Sequence, residues 1–145
     1  DDRERSDRFD RDVALAQSIL DDGIDAFLQR WTTTGLTDTT GLDDDTRVAD
    51  MAMRGENSAE GLASAVIGYG QGAMEPAWDR LGSVTCPTLL LTGAEDTAYT
   101  AIAHELAPAM GDARVVTIAD AGHNPLLDQP GETARTISAF LDDLG

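Results

Sequence analysis

The hydrophobic pattern predicts an α/β chain, with a cluster of short helices over residues 1–82 and one βαβα unit with parallel strands over 83–145. Three observations carry that expectation. The run Thr88-Leu89-Leu90-Leu91, introduced by Pro87, and the run Val115-Val116-Thr117-Ile118 are short, apolar and bounded by turn residues, as buried strands are. Between and after them apolar residues recur at the 3.6-residue period of helices. Ahead of residue 83 helical spacing dominates throughout. Strands separated by a helix pair in parallel through a crossover, which fixes the class.

The elements follow in order. Phe9, Val13, Ala16, Ile19 and Leu20 fall at helical spacing, and Ile24, Ala26, Phe27, Leu28 and Trp31 continue it after Asp21-Asp22-Gly23, so two short helices joined by an acidic turn are expected. Residues 32–40 are rich in threonine and aperiodic, hence a loop. Asp43, Asp44 and Asp45 offer capping carboxylates to a helix over 46–54. A fourth helix over 59–69 stops at Gly68, Gly70 and Gly72. In the second part a helix over 99–110 puts Ile102 and Leu106 on one face, and a last helix over 132–144 is expected to bury Ile137, Phe140 and Leu144. Two strands alone leave an open edge and an uncovered face, so the core is marginal unless further strands pair with it.

Composition narrows the function. A length of 145 residues with 41% apolar content suffices for a folded domain. A net charge of −17 argues against binding nucleic acid or an anionic membrane, because the summed field repels polyanions. All 10 basic residues are arginine, a bias that reflects genome composition or salt adaptation more than chemistry. The single cysteine, Cys86, cannot form an internal disulfide and is expected as a small buried side chain. No apolar stretch is long enough to span a bilayer and Asp1-Asp2-Arg3-Glu4-Arg5 lacks signal-peptide character, so a cytoplasmic location is the default. The charged helical opening without an initiator methionine fits a processed or truncated end. Two histidines and one cysteine without a shared ligand spacing predict no metal site. Gly68-x-Gly70-x-Gly72 follows a helical pattern, not a strand, and is no dinucleotide motif, so no cofactor is expected.

Functional groups of parallel sheets gather at the carboxyl ends of strands. Asp96 lies just past the first strand and His123 just past the second, within Ala121-Gly122-His123-Asn124. For a histidine to act as a base, one ring nitrogen must face the nucleophile while the other donates to a carboxylate that fixes the tautomer. Asp96 is placed to be that carboxylate. Glu95 points to the opposite side if the strand pleat persists, and Asp120 is too close in sequence to reach the proximal nitrogen easily. Singly, His123 and Asp96 read as ordinary turn residues; the joint pattern points to chemistry. His104, mid-helix beside Glu105, reads as a solvated helix residue. In α/β hydrolases the triad comes in the order nucleophile, acid, histidine, and the second and third members stand here in that order without a Gly-x-Ser-x-Gly. The expectation is the C-terminal part of an α/β-hydrolase fold.

The segments Asn57-Ser58-Ala59-Glu60-Gly61-Leu62-Ala63, Gly68-Tyr69-Gly70-Gln71-Gly72, Pro76-Ala77-Trp78 and Pro87 to Asp96 carry a more specific likeness. With them, the chain resembles the 2-succinyl-6-hydroxy-2,4-cyclohexadiene-1-carboxylate synthases of menaquinone biosynthesis. The resemblance implies an α/β-hydrolase-fold lyase whose Ser-Asp-His triad acts as a base to eliminate pyruvate from a succinylated cyclohexene carboxylate. It also implies substrate-binding roles for Arg8 on the first helix, Trp31 and Arg54, with Arg5 sharing the face of Arg8 at i and i+3. Trp31 reads equally as an apolar plug. Arginine forks suit a polycarboxylate substrate because they hold carboxylates in fixed orientation. The family's serine elbow, oxyanion-hole glycine and a further arginine have no counterpart in this sequence, and Thr34-Gly35-Leu36 stands where the family pairs proline with an aromatic residue. The leading expectation is therefore a lyase portion, inactive by itself, that requires as partner an N-terminal half of roughly 90 to 110 residues carrying the nucleophile. A general ester or carbon-carbon bond hydrolase of the same fold is the first alternative, and a non-catalytic fragment or binding module the second.

Overall fold

The computed structural model describes residues 2–33, 35–39 and 41–145. Asp1, and Thr34 and Thr40 of the expected threonine-rich loop, lie outside the described residues. The chain packs as two compact units divided between Glu75 and Pro76.

The first unit is helical. Helix α1 (Asp2–Trp31) consists of two helical segments meeting at Gly23, whose φ of 80° and ψ of 168° only glycine adopts freely. The expected acidic turn is thus a kink within one long element. Helix α2 (Asp44–Gly55) starts where the Asp43 carboxylate accepts the Thr46 amide at 3.0 Å, and α3 (Ala59–Tyr69) where the Ser58 hydroxyl accepts the Gly61 amide at 3.0 Å. Each cap satisfies an orphan donor and contributes about 1 kcal/mol. Ala16, Ile19, Phe27 and Leu28 of α1 bury against Ala63 of α3, with Leu15, Trp31, Met51 and Val66 packed around them. Full burial of Ile19 contributes about 2 kcal/mol.

The second unit opens with a 3-10 turn at Trp78–Ser83 and carries β1 (Thr88–Gly93), α4 (Thr97–Leu106), β2 (Ala113–Ile118), α5 (Pro125–Asp128) and α6 (Pro130–Asp142). The strands pair in parallel, Thr88 opposite Ala113 through to Gly93 opposite Ile118. The Thr92 and Thr117 hydroxyls meet at 3.2 Å, and the Thr100 hydroxyl of α4 donates to Thr92 at 3.1 Å, tying helix to sheet. The α/β class and the parallel pair are as expected.

Three expectations require correction. Helix α4 ends at Leu106 and tightens into a 3-10 turn at Ala107–Ala109, because Pro108 lacks the N–H that would continue the helix to 110. The last helix ends at Asp142, so Leu144, 47% exposed, lies beyond it; on α6 Ile137 is 37% exposed and Phe140 is only half-buried, while Thr133 is the buried residue. A two-stranded sheet is too narrow to cover that helix face. Cys86 is exposed, since it precedes β1 rather than lying within it.

Candidate active site

The site forms where the two strands end. The chain leaving β2 passes directly over Gly93, and a Cβ there would collide with the carbonyl oxygens of Ala121 and Gly122. Only glycine permits that approach. The Ala94 amide donates to Ile118 O and the Glu95 amide to Ala121 O, both at 2.9 Å, so the two post-strand segments stay in register beyond the sheet. The loop from β2 turns at Asp120, with φ of 52°, and is held by the Gln129 side-chain amide donating to Asp120 O at 3.1 Å. The Gly122 amide donates to Asp128 Oδ2 at 2.8 Å, which anchors the loop next to His123.

Asp96 sits at the N-cap of α4. Its Oδ1 accepts the Tyr99 amide at 3.1 Å and its Oδ2 meets His123 Nδ1 at 2.6 Å. The Asp96 side chain is buried, 3% exposed, whereas that of His123 is 36% exposed. Burial pushes the Asp96 carboxyl up, but the hydrogen bond from His123, the Tyr99 amide and the charge of His123 together outweigh it and hold the group below the ordinary carboxylate value of 3.8. The Tyr99 ring lies edge-on to the imidazole, centroids 4.8 Å apart. With Nδ1 committed to Asp96, Nε2 is the nitrogen left to exchange a proton with a further group. A cavity of about 290 Å³, lined chiefly by Leu90, Tyr99, Ile102, Ala103 and Leu106, opens beside the pair.

The other singled-out residues are distributed as follows. Glu95, Asp120 and, on α4, His104 are exposed, and the carboxylate that meets His123 is that of Asp96. Arg8, Arg5, Trp31 and Arg54 belong to the helical unit. Arg8 Nε donates to Asp12 Oδ1 at 2.8 Å and its Nη1 to Gln71 Oε1 at 3.1 Å, while Arg5 pairs with Glu75 at 2.8 Å. The two arginines of the shared helix face thus reach the same stretch of chain. Arg54 Nε donates to Asp50 Oδ2 at 2.7 Å. Trp31 stacks on Phe27 with centroids 5.3 Å apart, at the border of the helical core. Sequence reasoning missed Tyr99 and Asp128. Tyr99 stands three residues after a helix-capping acid, where an amide bond to that acid is the rule, but no sequence signal marked Asp128. Among the described residues no cluster of three His, Cys, Asp or Glu side chains could hold a metal ion, and no helix is long and apolar enough to cross a membrane.

The model of the alpha/beta hydrolase family matches residues 3–136. A putative 2-succinyl-6-hydroxy-2,4-cyclohexadiene-1-carboxylate synthase from Bacillus subtilis is 32% identical over 142 residues, which cover 97% of this chain and 52% of that protein. A solved structure of MenH from S. aureus superimposes with a TM-score of 0.95 at 26% identity, covering 99% of this chain and 54% of the other. A malate-bound thermophilic esterase from Thermogutta terrifontis matches at a TM-score of 0.78 and 21% identity, over 94% of this chain and 50% of the esterase, and that likeness concerns the fold. The chain spans about half the length of the curated relative it matches.

Proposed function

Because the chain belongs to the alpha/beta hydrolase family, we propose that it supplies the helical cap and the acid–histidine pair of a lyase that releases pyruvate from a succinylated cyclohexene carboxylate, forming 2-succinyl-6-hydroxy-2,4-cyclohexadiene-1-carboxylate. The observation that carries the reading is the 2.6 Å bond between Asp96 and His123 at the ends of paired parallel strands. The likeness to the B. subtilis synthase along nearly the whole chain supports the choice of reaction. A cytoplasmic location and the menaquinone pathway belong to the same proposal.

In this mechanism Asp96 keeps His123 in the tautomer with the proton on Nδ1 and stabilises the imidazolium when Nε2 takes a proton. The nucleophile-position serine, carried on a partner half of the fold, relays a proton from the substrate ring carbon to Nε2. A ring double bond forms as the carbon–oxygen bond to the enolpyruvate unit breaks, the bond pair leaves with the oxygen, and the departing enolate takes up a proton that His123 gives back, ending as pyruvate with no water consumed. Arg8 and Arg54, seconded by Arg5 and flanked by Trp31, hold the substrate's carboxylates. By itself the chain is inactive, since it lacks the group that His123 would activate.

The experiment is pyruvate release by this chain assembled with the nucleophile-bearing half. His123→Ala is expected to abolish release while the circular dichroism spectrum shows the fold retained; full activity in that variant would sink the assignment. A second reading, an ester or carbon-carbon bond hydrolase, is favoured by one observation, that Arg8 and Arg54 already have carboxylate partners within the chain. Turnover of a neutral p-nitrophenyl ester that is insensitive to Arg54→Ala, with no pyruvate release, would select it.

A further inference from the structure

Arg8 and Arg54 are held differently from Arg47 and Arg135. Arg47 and Arg135 pair with Asp44 and Glu132, whose side chains are 87% and 53% exposed, as solvated helix-surface pairs do. Asp12 and Asp50 are instead buried, 5% and 2% exposed. Each lies one helical turn from its arginine and accepts from Nε, at 2.8 and 2.7 Å. A carboxylate taken out of water needs a counter-charge close by. For Asp12 the need is acute, since its Oδ2 is buried with no hydrogen-bond partner among the described residues. A buried oxygen therefore pins each guanidinium at its inner nitrogen.

That mode of attachment leaves the outer edge of the guanidinium available. The terminal nitrogens of Arg54 make no hydrogen bond among the described residues, and Arg8 commits one terminal N–H to Gln71. Two parallel terminal N–H groups match the two oxygens of a carboxylate, and a guanidinium that cannot rotate loses little freedom on binding one. We infer that Asp12 and Asp50 are positioning residues, each holding its arginine by Nε so that the terminal nitrogens face a substrate carboxylate. The inference rests on the reading of Arg8 and Arg54 as anion clamps.

The test is steady-state pyruvate release by the assembled enzyme with the succinylated cyclohexene carboxylate as substrate. Asp50→Asn retains shape and an acceptor for Nε but removes the charge that pins it, and KM is expected to rise about tenfold with kcat nearly unchanged. Arg54→Lys preserves a counter-charge for buried Asp50, and with it the fold, but has neither Nε nor the fork; the same rise is expected. The double variant Arg54→Met, Asp50→Asn removes clamp and pin together without stranding a charge, and sets the full loss. If the double variant and Arg54→Lys raise KM while Asp50→Asn does not, or lowers only the melting temperature, positioning is overturned and the clamp stands; if Arg54→Lys leaves KM unchanged, the fork is not what binds and the inference fails. If even the double variant leaves KM unchanged while pyruvate is released, the clamp reading falls and the inference with it. Asp12→Asn and Arg8→Lys repeat the comparison at the second arginine, with the same outcomes expected.

Discussion

Asp96 divides its two oxygens between two partners, one closing the first turn of α4 and the other orienting His123. Asn caps helices about as well as Asp, so Asp96→Asn separates the two roles. We expect helix content to survive and pyruvate release to fall by roughly 10⁴-fold, the loss that follows when the acid can no longer hold its histidine in the working tautomer. Activity within tenfold of wild type would remove Asp96 from the mechanism. The same carboxyl has a folded pKa below its ordinary value, so the stability it contributes is complete above pH 3.8 and is lost as pH falls through the lower folded value. Thermal melts taken from about pH 6 down to about pH 2 should therefore show wild type losing more stability below that point than Asp96→Asn. Equal slopes would mean the carboxylate is not stabilised as described. The identities of Asp96 and His123 were legible from their places after two strand-like runs. The part of Gly93 was not, because the carbonyl groups that crowd it come from Ala121 and Gly122, far along the chain.

Helix α1 shows how local pattern and backbone geometry combine. Its two apolar stripes, ending at Leu20 and resuming at Ile24, are readable from spacing, and so are the caps at Asp43 and Ser58, because period and capping are local properties. Propensity alone would predict that Gly23→Ala stabilises a long helix. The φ of 80° predicts the opposite, a loss of about 1–3 kcal/mol measured by urea unfolding. A gain in stability would show that the kink is not required. The burial of α6 departs from the expectation for a reason of the opposite kind. Ile137 and Phe140 do share an apolar side of α6, but amphipathicity states which side seeks cover and not whether cover exists. Here Arg114 of β2 reaches that face instead, with its guanidinium 5.7 Å from the Phe140 ring and Nη1 2.5 Å from Asp143 Oδ2.

Two strands make up the sheet, and β1 has a neighbour on one side only among the described residues. An open strand edge bears unpaired amides and carbonyls that invite a further strand. If a partner half completes the fold as proposed, the β1 amides that do not face β2 should exchange hydrogen rapidly in this chain and become protected on assembly, as read by hydrogen-exchange mass spectrometry. Exchange that is slow from the outset, or unchanged by the partner, would contradict that completion. Exposed Ile102, Leu126, Ile137 and Leu141 in the same unit are consistent with a core that two strands do not fill. The α/β class, the order of helices and strands, and the acid and histidine after successive strands all follow from periodicity and punctuation along the chain, since these depend on near neighbours. Only tertiary structure decided that Asp96 and His123 meet, that Tyr99 and Asp128 support them, and that Asp12 and Asp50 are buried beneath their arginines. Those contacts depend on which surfaces find cover, a property of the packed units that no stretch of sequence carries by itself.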